Sequence, residues 1–153
     1  MWQLNLPPYN FRIKKQNEKM LIFDSQRKRF VTLTPEEWVR QNFIRFLIEA
    51  KAYPAALLAV EKQITVNGLK KRCDAILYDN VGQPEMIIEF KAPNVPITQQ
   101  TFDQAAVYNL KLNVDFFMLS NGLEHYCCKL DKSNSRYLYF SEIPHFTLLK
   151  SVK

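Results

Sequence analysis

Two acidic residues and a lysine stand out because they interrupt segments that are otherwise largely apolar. Glu89 and Lys91 lie two positions apart in the segment IIEFKAP, and Asp74 lies in the preceding segment RCDAIL. Side chains two positions apart on a strand project from the same face, so Glu89 and Lys91 should point together while Phe90 points away. Burying a lone charge costs several kcal/mol, so this strand requires solvent, an opposite charge or a metal ion beside the pair.

The segment between the two strands predicts how the acids meet. Residues 80–84 are typical of a turn, and folding the chain about its middle sets Asp74 opposite about position 90, beside Glu89. Two carboxylates from neighbouring strands form a hard oxygen site that suits Mg²⁺. The alternative is an ion pair between Asp74 and Lys91 at a solvated end of the sheet, which needs no metal.

The elements that must position these residues follow from the hydrophobic pattern. Thr34 is followed by a proline and two glutamates, which is typical of a helix start, and apolar residues at helical spacing extend this helix to about Ala52. An Asn-Gly pair predicts a tight hairpin between the first two core strands. A second helix should begin at Thr98 or Thr101. Strands are predicted over residues 58–66, 69–79, 85–91, 114–119, 123–129 and 136–140.

This order predicts a single α/β domain over residues 1–153, in which a central mixed sheet is flanked by helices. It comprises an N-terminal arm and hairpin (1–33), a core (34–126), and C-terminal strands with a tail (127–153). The first 19 residues are polar and contain prolines, so they should form an irregular arm laid over the domain.

Composition limits the class of protein. Lys and Arg outnumber Asp and Glu by 21 to 15, a net charge of +6 that suits an anionic partner such as nucleic acid. No apolar run approaches the length of a membrane span, and the N-terminus lacks the order of a secretory signal. The three cysteines are an odd number with two adjacent, which is a poor basis for disulfides. We therefore expect a cytoplasmic protein without a membrane partner.

Basic residues cluster in two short groups. The predicted nucleic-acid contacts are Arg27, Lys28, Arg29, Arg40, Lys70, Lys71 and Arg72. Such residues fix the position of a phosphate backbone without reading its sequence. The alternative for each group is a solvated turn or strand end that binds nothing. Glu61 is expected to have a structural role, bracing Arg72 or Lys71 across the Asn-Gly hairpin.

Asp74 and the Glu89-Phe90-Lys91 tripeptide resemble the D…(D/E)xK signature of the PD-(D/E)XK nuclease superfamily. The proline of the strict motif is absent, because Cys73 precedes Asp74. The order of helix, three strands, helix and strand also resembles the restriction-endonuclease-like core of that superfamily. The resemblance implies that Asp74, Glu89 and the backbone carbonyl of Phe90 hold Mg²⁺, with Mn²⁺ as a substitute. Lys91 would orient the attacking water or stabilise charge on the phosphate.

Downstream, Gln104 and Tyr108 resemble the QxxxY motif that RecB-like nucleases carry on the helix after the catalytic strand. The two side chains lie four positions apart, on one face of a helix, and could reach the phosphate or the water shell of the metal. The alternative for Tyr108 is an aromatic residue at the edge of the core. We include both residues in the predicted catalytic site.

A closer resemblance is to the N-terminal nuclease domain of type I restriction enzyme R subunits, in a short stand-alone form. Five segments within residues 34–126 carry it: TPEEWVRQNF, EKQITVNGLKKRCDAILYD, EFKAP, TFDQAAVYN and LSNGLEHY. R subunits continue into a helicase motor, whereas this sequence contains no P-loop, so we expect no ATP site. The resemblance implies a Mg²⁺-dependent endonuclease that hydrolyses DNA.

The first helix offers a further acid. Members of the superfamily often complete the metal site from their first core helix, which here implies Glu36 or Glu37. We favour Glu37 as the catalytic acid because it begins the EWVRQ element of the resembling segment. The alternative for each residue is a carboxylate that stabilises the positive end of the helix dipole.

The alternative to an endonuclease is a non-catalytic nucleic-acid-binding or interaction module that retains the nuclease fold. DNA is favoured as the ligand, and RNA stays open because no pattern reports contacts to a 2′-hydroxyl group. A homodimer or a larger restriction-type complex would suit cleavage of both strands.

Overall fold

The computed structural model describes residues 2–152, so the predicted domain limits at residues 1 and 153 lie outside the described residues. The described chain forms nine strands and three α-helices. The strands are β1 (Ile13–Gln16), β2 (Lys19–Asp24), β3 (Arg29–Thr32), β4 (Leu58–Val66), β5 (Leu69–Tyr78), β6 (Pro84–Phe90), β7 (Phe116–Ser120), β8 (His125–Asp131) and β9 (Arg136–Tyr139). The helices are α1 (Pro35–Lys51), α2 (Gln99–Leu112) and α3 (Phe146–Ser151).

The strands form two sheets. Strands β1, β2 and β3 pair antiparallel in that order, and we call them the small sheet. Strands β4 to β9 form the large sheet in chain order, and only β6 and β7 of the described pairs run parallel. Parallel neighbours need a crossover connection, and α2 provides it. The predicted class, a central mixed sheet flanked by helices, is therefore confirmed.

One helix covers each face of the large sheet. Phe43 of α1 packs against Phe90 of β6, with ring centroids 5.7 Å apart. Phe102 of α2 packs against Phe117 of β7 at 5.6 Å, on the other face. Because alternate residues of a strand face opposite sides, Glu89 projects from the face that α2 covers.

The helices begin where the sequence predicts. The Thr34 side chain accepts a hydrogen bond from the N–H of Glu37 (3.0 Å), and α1 ends at Ala52 in a left-handed conformation. Thr98, rather than Thr101, caps α2 in the same way (3.1 Å). No helix within residues 2–152 is both long and apolar enough to cross a lipid bilayer.

Two segments contain more structure than predicted. The first 19 residues are not irregular throughout, because β1 adds a third strand to the predicted hairpin through a turn at Asn17 and Glu18. Both turn residues have positive φ (51° and 66°), as this type of two-residue hairpin requires. The arm before β1 does lie over the domain, with the Asn5 N–H donating to the Gly122 carbonyl (2.8 Å). The C-terminal tail contains α3, whose Leu149 is fully buried.

The pairing of β5 with β6 differs by one residue from the predicted register. Ala75 pairs with Ile88, which brings Asp74 level with Glu89 rather than with position 90. The turn is centred on Val81 rather than on Gly82, because Tyr78 pairs with Pro84, and a β-bulge beside it, where β6 contains one residue more than β5, then moves the register by one residue to Glu89. The shift brings the two carboxylates closer together than a symmetric turn would.

Candidate active site

Asp74 and Glu89 lie side by side on neighbouring strands, as predicted. The backbone N–H of Phe90 donates to Asp74 Oδ2 (2.8 Å), which orients the Asp74 carboxylate towards the end of β6. Burial and the charge of Asp74 raise the pKa of Glu89 to about 7. The pair is therefore a cluster in which the second negative charge is unfavourable unless a cation compensates it.

Lys71 supplies part of that compensation. Its Nζ atom lies 3.0 Å from Glu89 Oε1, and the Glu89 side chain is only 15% exposed. This ion pair with Lys71 is the contact that the structure gives the buried Oε1 atom. Glu89 Oε1 thus lies in a position that binds a cation.

Lys91 follows the last residue of β6 and is half-buried. Its backbone N–H donates to the Ser120 carbonyl (2.9 Å), which extends the pairing of β6 with β7 by one residue. Among residues 2–152, Lys91 forms no ion pair with a carboxylate, so the alternative of an Asp74–Lys91 pair is wrong. Because Lys71 occupies the position beside Glu89, the Lys91 ammonium remains available to a ligand.

The two acids in the first turn of α1 have different surroundings. Burial alone would raise the pKa of Glu37, but its bonds to the Arg40 and Arg27 guanidinium groups lower that pKa below its ordinary value. Glu36 is exposed, and partial desolvation together with the charge of Asp74 raises its pKa. Glu36 is thus close enough to sense the charge of Asp74, whereas Glu37 is paired with two arginines beneath the helix and is not directed to the cluster.

A chain of ion pairs continues from Glu37 to the large sheet. Arg40 contacts both Glu37 and Glu61, and Arg72 donates to Glu61 Oε2 (2.8 Å), which confirms the predicted bracing role of Glu61. Arg40 is only 6% exposed and enclosed by carboxylates, which corrects its predicted placement at a nucleic-acid surface. Glu61 itself has φ 52° at the position opposite Asp74, and a left-handed conformation costs a non-glycine residue about 1–2 kcal/mol.

Tyr108 connects α2 to the same corner of the site. Its hydroxyl donates to the Lys70 carbonyl (2.7 Å), and the Lys71 ammonium lies 5.1 Å from the centre of its ring. This contact holds Lys71 between an aromatic face and Glu89. Gln104 is exposed one turn earlier on the same face of α2. Tyr108 of the predicted QxxxY pair thus adjoins the cluster through Lys71, whereas a role for Gln104 stays a prediction.

The remaining basic residues divide by exposure. Arg27 is bound to Asp24 and Glu37, with only 15% of its side chain exposed, which corrects its predicted placement as a phosphate contact. The exposed members of the two groups, whose contacts with nucleic acid stay predictions, are Lys28, Arg29, Lys70 and Arg72. Arg72 already pairs with Glu61, so only part of its guanidinium can reach a ligand.

The donor set fits a small, hard cation. Asp74 and Glu89 present carboxylate oxygens next to the backbone of Phe90, and the buried Oε1 atom of Glu89 already lies beside a cation, the Lys71 ammonium. Within residues 2–152 no three Asp, Glu, His or Cys side chains converge on one point. Mg²⁺ suits such a site, because it commonly binds one or two carboxylates and completes its shell with water and phosphate oxygens.

The pattern of basic residues predicts Lys71 only as a general phosphate contact, whereas the structure pairs it with Glu89. The pairing register of β5 with β6 could have indicated this contact. Counting from the turn, Lys71 falls just beyond the end of β6, from where a long side chain reaches back to Glu89. For the acid of the first helix, the sequence allows both Glu36 and Glu37, and only the packing of α1 distinguishes them.

The mixed sheet, the helix on each of its faces and the paired carboxylates at the end of β6 together define a restriction-endonuclease-like domain. Residues 35–144 match the family model described as Type I restriction enzyme R protein N terminus (HSDR_N). This match spans more than half of the chain, and the chain belongs to that family. No curated protein matches the chain at a significant level.

Three solved structures are similar to this chain. A candidate nuclease of the DUF820 group from Anabaena variabilis ATCC 29413 is 11% identical, with a TM-score of 0.48 over 90% of this chain and 88% of that one. A fragment of a candidate HsdR subunit of a type I restriction enzyme from Vibrio vulnificus YJ016 is 19% identical, with a TM-score of 0.49 over 73% of this chain. A DrdV–DNA complex is 16% identical, with a TM-score of 0.45 over 78% of this chain. The chain spans only 24% and 12% of the last two.

Proposed function

We propose that this domain is an endonuclease that hydrolyses DNA phosphodiester bonds with Mg²⁺, for which Mn²⁺ can substitute. The observation that carries the proposal is the Asp74–Glu89 cluster, in which two carboxylates lie side by side at the end of β6 and a cation, the Lys71 ammonium, lies 3.0 Å from the buried Glu89 Oε1. Lys91 lies two residues further on and forms no ion pair within the described chain. Membership of the restriction enzyme R protein N-terminus family supports DNA as the substrate.

Each residue of the cluster has a role that its surroundings permit. Asp74, Glu89 and the Phe90 carbonyl would hold the metal, which when bound neutralises charge on the phosphate and lowers the pKa of a water molecule. Lys91 would donate a hydrogen bond to the attacking water or to a phosphate oxygen. Glu36 would take the role predicted for Glu37, completing the metal site from α1, by accepting a hydrogen bond from a water molecule of the metal's shell.

Lys71 of β5 and the two predicted residues of α2 would act on the phosphate group of the DNA. Lys71 would turn from Glu89 to a phosphate oxygen once a metal compensates Glu89, and the Tyr108 ring would keep it at the site. Gln104 is exposed on the same face and can donate a hydrogen bond to the backbone of the DNA. Tyr108 would therefore be a positioning residue that acts through Lys71, and Gln104 would contact the DNA itself.

Asp74→Ala and Lys91→Ala test the proposal. We expect Mn²⁺ binding, measured by titration calorimetry with and without a non-cleavable DNA duplex, to disappear in Asp74→Ala. Mg²⁺-dependent cleavage of plasmid DNA should fall by about 100-fold or more in each variant. Lys62→Ala is the matched control, because it removes an exposed lysine of β4 that forms no ion pair in the described chain. Cleavage near the wild-type rate in either test variant would overturn the assignment.

A non-catalytic binding module is the second candidate, and the Lys71–Glu89 contact favours it. A resident ammonium group can compensate the cluster without a metal, as in a structural ion pair. This candidate requires DNA binding that neither EDTA nor Asp74→Ala changes. A loss of binding on chelation would exclude it.

The partners of the whole protein are proposed from the family alone. R proteins belong to multisubunit restriction enzymes, so we propose a larger restriction-type complex, or a homodimer for cleavage of both strands. RNA remains a second substrate to test beside DNA, and a cytoplasmic location agrees with a DNA substrate. Light scattering of the isolated chain, with and without a duplex, measures the oligomeric state directly.

A further inference from the structure

Nearly all of the net positive charge of this protein lies on the small sheet. The segment of residues 10–33, which contains β1, β2, β3 and their turns, carries seven Lys or Arg against two Asp or Glu. Its net charge of +5 leaves only +1 for the rest of the chain. A basic surface of this kind is the electrostatic footprint of a nucleic-acid-binding protein, and here it lies outside the core that carries the candidate active site.

The two faces of the small sheet differ in composition. Ile22 and Asp24 project inwards and are almost completely buried. Phe23 lies between them in sequence and therefore projects outwards, and Phe30 is its partner on β3. The outer face, defined here by Arg12, Lys14, Phe23 and Phe30, thus carries two aromatic rings and two cations.

The cations of the outer face lie directly over its rings. The Arg12 guanidinium is 4.8 Å from the centre of the Phe23 ring and 5.4 Å from that of Phe30. Lys14 Nζ is 4.1 Å from the centre of the Phe30 ring. Cation–π contacts reduce the number of positions that these long side chains adopt, while both residues stay exposed to solvent. Neither cation has a carboxylate partner among the described residues.

The small sheet is held firmly on the core. Arg27 links Asp24 of β2 to Glu37 of α1. The Gln26 side chain donates to the carbonyls of Ala55 (3.0 Å) and Leu58 (2.9 Å), which lie just before and at the start of β4. A ligand bound to the outer face is therefore held at a constant position relative to the Asp74–Glu89 cluster.

We propose that the outer face of the small sheet is a binding surface for the phosphate backbone of duplex DNA. Ordered cations above a flat sheet complement the high charge density of a duplex. Single-stranded nucleic acid is less suited, because its binding depends on bases stacking on open aromatic faces, and here the cations cover the rings. An anionic membrane is also less suited, since peripheral binding requires apolar side chains that can insert. The surface would anchor DNA without reading its sequence.

The test uses the full chain in EDTA, so that the metal cluster does not contribute. We expect Arg12→Gln/Lys14→Gln to bind a 20-base-pair duplex about tenfold more weakly than wild type, as measured by fluorescence anisotropy. The slope of log affinity against log salt concentration should fall by about 1.8, or about 0.9 for each lost phosphate contact. Phe30→Leu retains the charge but removes the ring under both cations, and should weaken binding about two- to fivefold.

Lys62→Gln/Lys111→Gln is the control, because it removes two exposed lysines of the core and the same total charge. Duplex binding by Arg12→Gln/Lys14→Gln that equals this control would overturn the proposal, as would tighter binding to a single strand or to anionic vesicles. The inference rests on the proposed function only in taking DNA as the ligand. If the double variant cleaves DNA at the normal rate with metal and binds the duplex as tightly as wild type, the proposed binding surface is refuted and the proposed endonuclease activity stands. If the double variant binds the duplex more weakly but the wild-type protein does not cleave DNA, the proposed endonuclease activity is refuted and the binding surface is supported.

Discussion

At the scale of single residues, Asp74 and Glu89 show how two like charges are retained on apolar strands. The Phe90 N–H satisfies Asp74, and Lys71 compensates part of the charge on Glu89. Burial, and after it the charge of Asp74, still raise the pKa of Glu89 to about 7 despite these contacts. A bound divalent cation would relieve the repulsion between the two carboxylates, so the strain of the metal-free cluster contributes to its affinity for metal.

Replacing Lys71 tests this view, since it competes with the metal for Glu89 Oε1. We expect Lys71→Met to lower the free energy of unfolding in EDTA by roughly 1–2 kcal/mol, between the values for exposed and buried ion pairs. The increase in melting temperature on adding Mn²⁺ should be larger than in wild type, because no ammonium group has to be displaced. Lys70→Met removes the adjacent exposed charge as a control. Equal Mn²⁺ effects in Lys71→Met and wild type would contradict the competition.

Glu36 and Glu37 are adjacent in sequence, and their substitutions should have opposite effects. Glu37→Gln leaves two arginines with only one carboxylate each, Asp24 for Arg27 and Glu61 for Arg40, and should cost about 2–3 kcal/mol of stability. Glu36→Gln removes an exposed carboxylate and should change stability by less than about 0.5 kcal/mol, while DNA cleavage falls. Urea unfolding and plasmid cleavage distinguish the two. Loss of cleavage in a stably folded Glu37→Gln protein would restore the original assignment.

At the scale of elements, the N-terminal arm is held to the large sheet by His125. Its Nε2 lies 2.9 Å from the Asn5 carbonyl and its Nδ1 lies 2.7 Å from Ser120 Oγ. A neutral imidazole satisfies both contacts, with Nε2–H as the donor and Nδ1 as the acceptor. Burial lowers the pKa of His125 below 6.5. The folded protein therefore resists protonation at this position.

This histidine should make stability depend on pH. Because the pKa is lower in the folded state than in the unfolded state, the stabilisation is complete above about pH 6.5 and is lost as the pH falls through the folded-state pKa. We expect the free energy of unfolding, measured in urea, to decrease more steeply between pH 7 and pH 5 in wild type than in His125→Asn. The difference between the two proteins isolates His125 from the titrating carboxylates. Parallel pH profiles would show that His125 does not titrate in this range.

Local patterns account for most of the elements. Thr34 and Thr98 cap their helices because a β-hydroxyl before a helix can accept a hydrogen bond from a first-turn N–H, which requires no tertiary contact. By contrast, β1 depends on a turn in which Asn17 and Glu18 both have positive φ. Glutamate rarely adopts that conformation, so the sequence offers little indication of this turn.

At the scale of the whole molecule, Arg27 forms the ion-paired link between the small sheet and the core, beside the two hydrogen bonds of Gln26. It pairs with Asp24 of the sheet and with Glu37 of α1. Because both partners are almost fully buried, removal of Arg27 would leave their charges only partly compensated. The position of the sheet on the core therefore depends on this contact.

Arg27→Met should loosen the small sheet without unfolding the core. In hydrogen–deuterium exchange, we expect faster exchange in residues 13–32, while β5 and β6 keep their protection. Lys28→Met removes an exposed charge in the same turn and is the control. If exchange instead increases evenly over the chain, the sheet and the core unfold as one unit.

The sequence by itself determined the residue types of the site, the strands and helices that carry them and the family to which they belong, because spacing and capping act over a few neighbouring residues. Only the tertiary structure decided which charges pair. A one-residue bulge brought Asp74 level with Glu89, and the packing of α1 turned Glu37 to the arginines and Glu36 to the cluster. Such choices depend on contacts between elements distant in sequence, where a shift of one residue redirects a side chain.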